Sequence, residues 1–211
     1  MEMKKTRQIA ILAISAMLFS CSTTKTEHKL VAPLPAGIDV ENLQDCMIPV
    51  SFMLEDFNWE EGKLSLTVYN KDLYDAVEVS QLQVGDTLFY DEYPIVINKI
   101  VENGGGIEIN DGHIDEGGCC LSPYEGGTYV ARHWDTHATY TELGKAEVDL
   151  ADNLVIINCG EFPNDLSDTI CSEQRLYIEN LKDSNASFFS LNTLVTIENG
   201  KITEINRRWI P

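Results

Sequence analysis

The sequence predicts a mainly β protein: an antiparallel sandwich or partly open barrel with one short helix near the C-terminal third. Three observations carry this reading. Beyond residue 45 apolar residues recur at every second position rather than at a period of 3.6, the apolar runs are short, and Gly, Asn and Asp separate them.

Taken in order, Val50, Phe52 and Leu54 alternate with Ser51, Met53 and Glu55. Leu64, Leu66 and Val68 alternate with Ser65, Thr67 and Tyr69, and Trp59-Glu60-Glu61-Gly62-Lys63 between the two segments reads as a hairpin loop. Val84-Gly85-Asp86 turns the chain into a strand over 87–90, and Pro94 precedes another over 95–101. Gly104-Gly105-Gly106 separates this from Ile107 to Ile109, and further strands are expected at 128–134, 139–143 and 154–159.

At the C-terminus, Leu194 to Glu198 and Lys201 to Ile205 flank Asn199-Gly200, a dipeptide suited to the two positive-φ positions of a type I′ turn. A two-residue turn pairs Glu198 with Lys201, Ile197 with Ile202, Thr196 with Thr203 and Leu194 with Ile205, all favourable, and leaves Val195 poorly placed opposite Glu204. The helix is expected over 172–182, where Tyr177 and Leu181 share a face with Ile178 beside them.

The N-terminus is organised differently. Lys4, Lys5 and Arg7 precede an eleven-residue apolar run from Ile9 to Phe19, which ends in Leu18-Phe19-Ser20-Cys21. A charged head, an apolar stretch too short to span a bilayer and a small residue before the cut is the pattern of an export signal. With a cysteine directly after the cut, it resembles the lipobox of bacterial lipoproteins. The resemblance covers about a tenth of the chain and implies that Cys21 is lipidated, that residues 1–20 are removed, and that the protein is exported and anchored to the cell envelope. Ser22 after the cysteine implies outer-membrane sorting. Residues 21–37, polar and then Pro-rich, read as the lipidated cysteine and a flexible tether, and 38–211 as one β-rich domain. The strings Val84-Gly85-Asp86-Thr87, Tyr124-Glu125-Gly126-Gly127-Thr128-Tyr129, Thr139-Tyr140-Thr141-Glu142-Leu143-Gly144 and Glu198-Asn199-Gly200-Lys201-Ile202 resemble uncharacterised extracytoplasmic β-rich proteins of bacteria. That resemblance implies a secreted β domain and carries over no site residue.

The formal charge of the whole chain is −19, and removing residues 1–20 takes away three basic and one acidic side chain, leaving −21. Such a surface repels phosphate backbones and anionic lipid, so nucleic acid is excluded as a partner and the membrane is reached through the lipid on Cys21. Besides Cys21 there are Cys46, Cys119, Cys120, Cys159 and Cys171, an odd number whose pairing no spacing selects. Cys119 and Cys120 are adjacent and cannot bridge each other without strain.

The strongest metal-ligand pattern is His133-Trp134-Asp135-Thr136-His137, with His113 able to join after folding. On a strand His133, Asp135 and His137 point to one face. The outer two are then about 13 Å apart at the backbone, so a turn would be needed for chelation. The competing reading places Trp134 in a core and gives the histidines ordinary hydrogen bonds. Asp111 to Gly117 is acidic and Gly-rich but lacks the ligand spacing of a calcium loop. A Cys119 thiolate beside His133 or His137 is a further, weaker pairing. No nucleophile elbow, His-Glu-x-x-His helix, Cys-x-x-Cys pair or phosphate loop occurs. The sequence therefore points to a non-catalytic binding or envelope-interaction module without a cofactor, taking a protein or glycan ligand. The alternative is a metal-dependent hydrolase built on His133, Asp135 and His137.

Overall fold

The computed structural model describes residues 28–90, 93–113, 117–132, 137–160, 162, 164–182 and 186–210. The signal and lipobox, Cys21, His133 and Asp135 lie outside these.

The described elements are β1 (Leu30–Val31), β2 (Cys46–Ser51), β3 (Phe57–Asn58), β4 (Lys63–Lys71), β5 (Leu73–Asp75), α1 (Ala76–Ser80), β6 (Thr87–Tyr90), β7 (Tyr93–Val96), β8 (Ile100–Asn103) and β9 (Gly106–Ile109). They continue with β10 (Cys119–Tyr124), β11 (Thr128–Arg132), β12 (Tyr140–Asn158), β13 (Asp168–Ile170), α2 (Gln174–Leu181), β14 (Thr193–Glu198) and β15 (Lys201–Arg207). The molecule is mainly β, as its alternation predicts.

Five strands close on themselves in the order β2–β4–β12–β15–β14 and back to β2. Numbered along the barrel, this is 1-2-3-5-4-1, with the third and fifth strands parallel and all other neighbours antiparallel. The barrel is closed rather than partly open, because β12 is long enough to serve two partners. Its first half pairs with β4 from Tyr140↔Lys71 to Asp149↔Lys63, and its second half pairs with β15 from Asp149↔Lys201 to Asn158↔Arg207. The segments expected as separate strands over 139–143 and 154–159 thus belong to one 19-residue strand. Its turn-forming Asp152 and Asn153 sit at a register shift between Leu150 and Val155. A second shift lies between Glu142 and Gly144, where Gly144 has φ 143°. Both are irregularities of the kind that bend a strand around a barrel.

The inward positions of these strands, among them Ile48, Val50, Leu64, Leu66, Val68, Val148, Ile156, Val195, Ile197, Ile202 and Ile205, form the barrel core, and Ile178 of α2 joins it. The helix is two residues shorter at its start and one at its end than its pattern suggests.

The C-terminal hairpin corrects the expected register. Asn199 and Gly200 take φ 53° and 75°, and Glu198↔Lys201 and Ile197↔Ile202 pair as expected. A bulge then skips Thr203, so that Thr196 faces Glu204 and Val195 faces Ile205. The reason is the one poor pair of the regular register. Val195 and Ile205 are both wholly buried, and skipping one residue exchanges Val195 opposite Glu204 for two apolar side chains inside the barrel.

Between β4 and β12 the chain builds a second unit with its own core, which includes Val31, Tyr74, Val79, Leu88, Ile97, Ile109, Cys119 and Leu121. Its sheets run β1–β6–β7 and β5–β11–β10–β9–β8. The strand expected over 95–101 is two strands, β7 and β8, with a corner at Ile97 to Lys99. Buried Asn110 holds that corner: its Oδ1 accepts from the backbone N–H of Asn98 and Lys99, and its Nδ2 donates to the carbonyls of Val96 and Gly117. Helix α1, unannounced by periodicity, starts where the Asp75 carboxylate accepts the N–H of Val77 and Glu78.

Within the stretch read as a tether, residues 28–37 are structured. Leu30 and Val31 pair in parallel with Thr87 and Leu88. Leu34 donates to the Leu73 carbonyl at 2.6 Å and accepts from Asn70 at 3.1 Å. Ile38 and Val40 then pack on the barrel core, so this strap spans both units.

Candidate functional site

The outer face of β2, β4 and β12 carries a groove of about 970 Å³. The alternation that buries Leu64, Leu66 and Val68 turns Ser65 and Thr67 outward, and strand register sets their neighbours. Ser51 and Lys145 flank Thr67, and Glu147 lies opposite Ser65. The floor is thus a strip of hydroxyls bordered by one ammonium and one carboxylate. At one end Lys63 Nζ donates to Glu147 Oε1 at 2.7 Å; this hydrogen bond, with the carboxylate charge, raises the Lys63 pKa above its ordinary value. At the other end the Ser51 and Tyr69 hydroxyls lie 3.1 Å apart.

One wall is the turn Met53–Asp56, fastened by Met53 N–H donating to Asp56 Oδ2 at 2.7 Å. The other is Ala186–Phe189. The walls are joined beneath the groove: Phe52 N–H donates to the Phe188 carbonyl at 3.2 Å, and the two rings stack at 4.6 Å. Phe57 meets Phe52 edge-on at 5.5 Å and stacks on Trp59 at 4.8 Å. Trp59 therefore belongs to an aromatic stack behind the groove.

Buried Arg207 at the end of β15 fixes the second wall. Its Nε donates to the Ser187 carbonyl at 2.8 Å, and its Nη1 donates to Asn158 Oδ1 at 2.7 Å and the Gly160 carbonyl at 3.0 Å. Asn192 adds a donation to the Ser187 carbonyl and accepts the Phe189 N–H, each at 3.0 Å. Asn158 also donates to the Tyr177 hydroxyl, which donates to Asp168 Oδ2. Burial is the largest cause of the raised Tyr177 pKa. Backbone held in this way is preorganised, so a ligand does not have to order the wall on binding.

Of the sequence-derived metal candidates, His113 is exposed after Gly112, and His137 is half-buried ahead of β12. Among the described residues no group of three or more His, Cys, Asp or Glu side chains is placed to hold a metal ion. The Cys119 thiolate is corrected by its surroundings. Cys119 lies in the core of the inserted unit, and burial pushes its thiol up to about 12, so it stays protonated at neutral pH. Cys120 lies in register between Glu108 and Arg132, and its thiol is also raised, first by burial and then by Glu108. The five cysteines among the described residues are free thiols.

The groove residues Ser51, Ser65, Thr67, Lys145 and Glu147 were not singled out by sequence. The available signal was that two successive outward positions of β4, Ser65 and Thr67, carry small hydroxyls between the charged Lys63 and the aromatic Tyr69. No family model, curated protein or solved structure matches the chain.

Proposed function

We propose that this chain is an exported lipoprotein, anchored to the envelope at the outer membrane through lipid on Cys21, whose barrel is a non-catalytic module that binds a glycan chain in the β2–β4–β12 groove. The observation that carries the reading is the hydroxyl strip of Ser51, Ser65 and Thr67 between Lys145 and Glu147, walled by Met53 and Phe189. A sugar presents hydroxyl edges and an apolar C–H face. Hydroxyls and charged groups bond the first, and an apolar wall covers the second.

Two further considerations favour a glycan over other polymers. At the centre of the floor Thr67 is paired on both sides, with Ser51 and with Lys145, so the middle of the groove offers no free strand edge to an extended peptide. The charge of −19 opposes nucleic acid. Five-stranded Greek-key barrels of the OB type use the face of their second and third strands for oligonucleotides and oligosaccharides. That is an analogy of architecture and only supports the choice of face.

The test is a glycan array probed with the full chain carrying Cys21→Ala, and with the same chain carrying Thr67→Arg, which fills the floor. Binding by the first and its loss in the second, at unchanged thermal stability, is the expected result; undiminished binding by Thr67→Arg removes the groove as the site. Cys21→Ala is itself expected to abolish lipid labelling and release the protein from membranes. Stoichiometric zinc or iron, lost with His133→Ala and His137→Ala together, would replace the binding module with the metal-dependent hydrolase reading.

A further inference from the structure

We propose that the inserted unit rests on the bilayer through the outer face of the β1–β6–β7 sheet, making it the membrane-proximal part of the molecule. This inference rests on the lipoprotein reading above. Strand register defines the face. Val31, Leu88 and Ile95 lie side by side, and burial of Val31 and Leu88 shows that this row points into the core. The neighbouring rows, Leu30–Thr87–Val96 and Phe89–Pro94, therefore point outward. Leu30 is 63% exposed and Val96 54%. The outward rows carry no charged side chain in a protein with thirty-four acidic residues.

Tether length selects a lipid surface as what covers this face. Seven Cα–Cα steps separate Cys21 from His28, a reach of about 25 Å at full extension. A folded chain of this size is about 40 Å across. The tether is thus shorter than the molecule is wide, and only surfaces near its exit can touch a membrane holding the acyl chains. The exit is the first residue of the strap, two positions before Leu30. With a charge of −21 after processing, attraction to the bilayer cannot be electrostatic, which leaves contact through uncharged apolar side chains.

The experiment uses the full lipidated protein reconstituted in phosphatidylcholine vesicles containing brominated lipid. A tryptophan is added at Thr87→Trp or, as an independent reporter, at Val96→Trp, and a control is added on the barrel at Ser65→Trp. The three native tryptophans give a common background. The emission added at 87 and 96 is expected to be mostly quenched and that at 65 retained. Adding Leu30→Glu is expected to restore the emission at 87 while the protein still floats with the vesicles. Equal quenching at all three positions, or none at 87 and 96 in vesicle-bound protein, overturns the inference alone. Failure of Cys21 to take lipid overturns it together with the anchoring reading.

Discussion

In the barrel, seventeen of the described residues, all aliphatic or phenylalanine, make one buried cluster in and around a sheet that closes on itself. In the unit inserted between β4 and β12, to which β1 adds Val31, ten of the described residues make the core, two of them tyrosines and one a cysteine, beneath the β1–β6–β7 and β5–β11–β10–β9–β8 sheets. Buried polar side chains hold backbone in both units, Arg207 and Asn192 at the groove wall of the barrel and two others at corners of the inserted unit. Asn110 does so between β7 and β8. Asp86, also buried, accepts the Lys29 N–H through Oδ1 and the Gln83 N–H through Oδ2, each at 3.0 Å. The two units thus differ in the size and closure of their cores, while in both the backbone that leaves regular strand pairing is satisfied by buried polar side chains.

The largest effect that would break this contrast is in the barrel. Ile156→Ala removes a wholly buried side chain of β12 and is expected to cost about 4 kcal/mol in chemical denaturation, with loss of protection across all five barrel strands in hydrogen exchange. Asn110→Ala is expected to cost about 3 kcal/mol, since it strands the amides of Asn98 and Lys99 and two carbonyls. Its signature is different: amides of β7 to β9 should lose protection while those of β14 and β15 keep theirs. Equal loss in both units would show that they unfold as one, and the contrast would fail. Gly200→Ala, at φ 75° in the hairpin turn, is expected to cost about 1 kcal/mol, read as a lowered midpoint.

The smallest effect is a pH dependence confined to the inserted unit. Burial pushes the Asp86 carboxyl up, but the Lys29 and Gln83 N–H groups and the positive charges of Lys29 and His28 outweigh it, leaving the pKa below the ordinary value. A carboxyl lowered on folding stabilises above its unfolded pKa, and that contribution fades as pH falls through the folded value. Hydrogen exchange in β1 and β6 should therefore accelerate in acid before the barrel responds. Asp86→Asn should remove the acid-dependent part, and an unchanged acid response would exclude Asp86 as its source.

Much of the barrel was legible. Leu64, Leu66 and Val68 show a period of two, and Asn199-Gly200 announces its turn. What was not legible depends on partners distant in sequence. The Thr203 bulge follows from Val195 having to enter a core formed with β2, and the continuity of β12 from two neighbours distant in sequence, β4 before it and β15 after it, that pair with its two halves. The groove was hidden for a related reason: Ser51, Thr67 and Lys145 become neighbours only through register. The Arg207 network joins residues 20 to 49 positions apart, a separation over which spacing carries no signal. For His133 and Asp135 the structure describes nothing, and His113 and His137 alone do not make a centre.

The chain leaves the barrel at the end of β4 and re-enters at the start of β12 through residues that touch. Lys71 pairs with Tyr140, Asp72 N–H donates to the Thr139 carbonyl at 3.1 Å, and the Thr141 hydroxyl donates to Asp72 Oδ1 at 2.7 Å. In modular terms the inserted unit is a cassette set into the tip of a hairpin. Its two ends lie as close as those of an ordinary turn, so a short turn from 71 to 140 could replace it without altering the path of either barrel strand. Variation in its size would leave the groove-bearing strands in register, whereas complete excision would also strip β1 of its partner β6 and expose Val31.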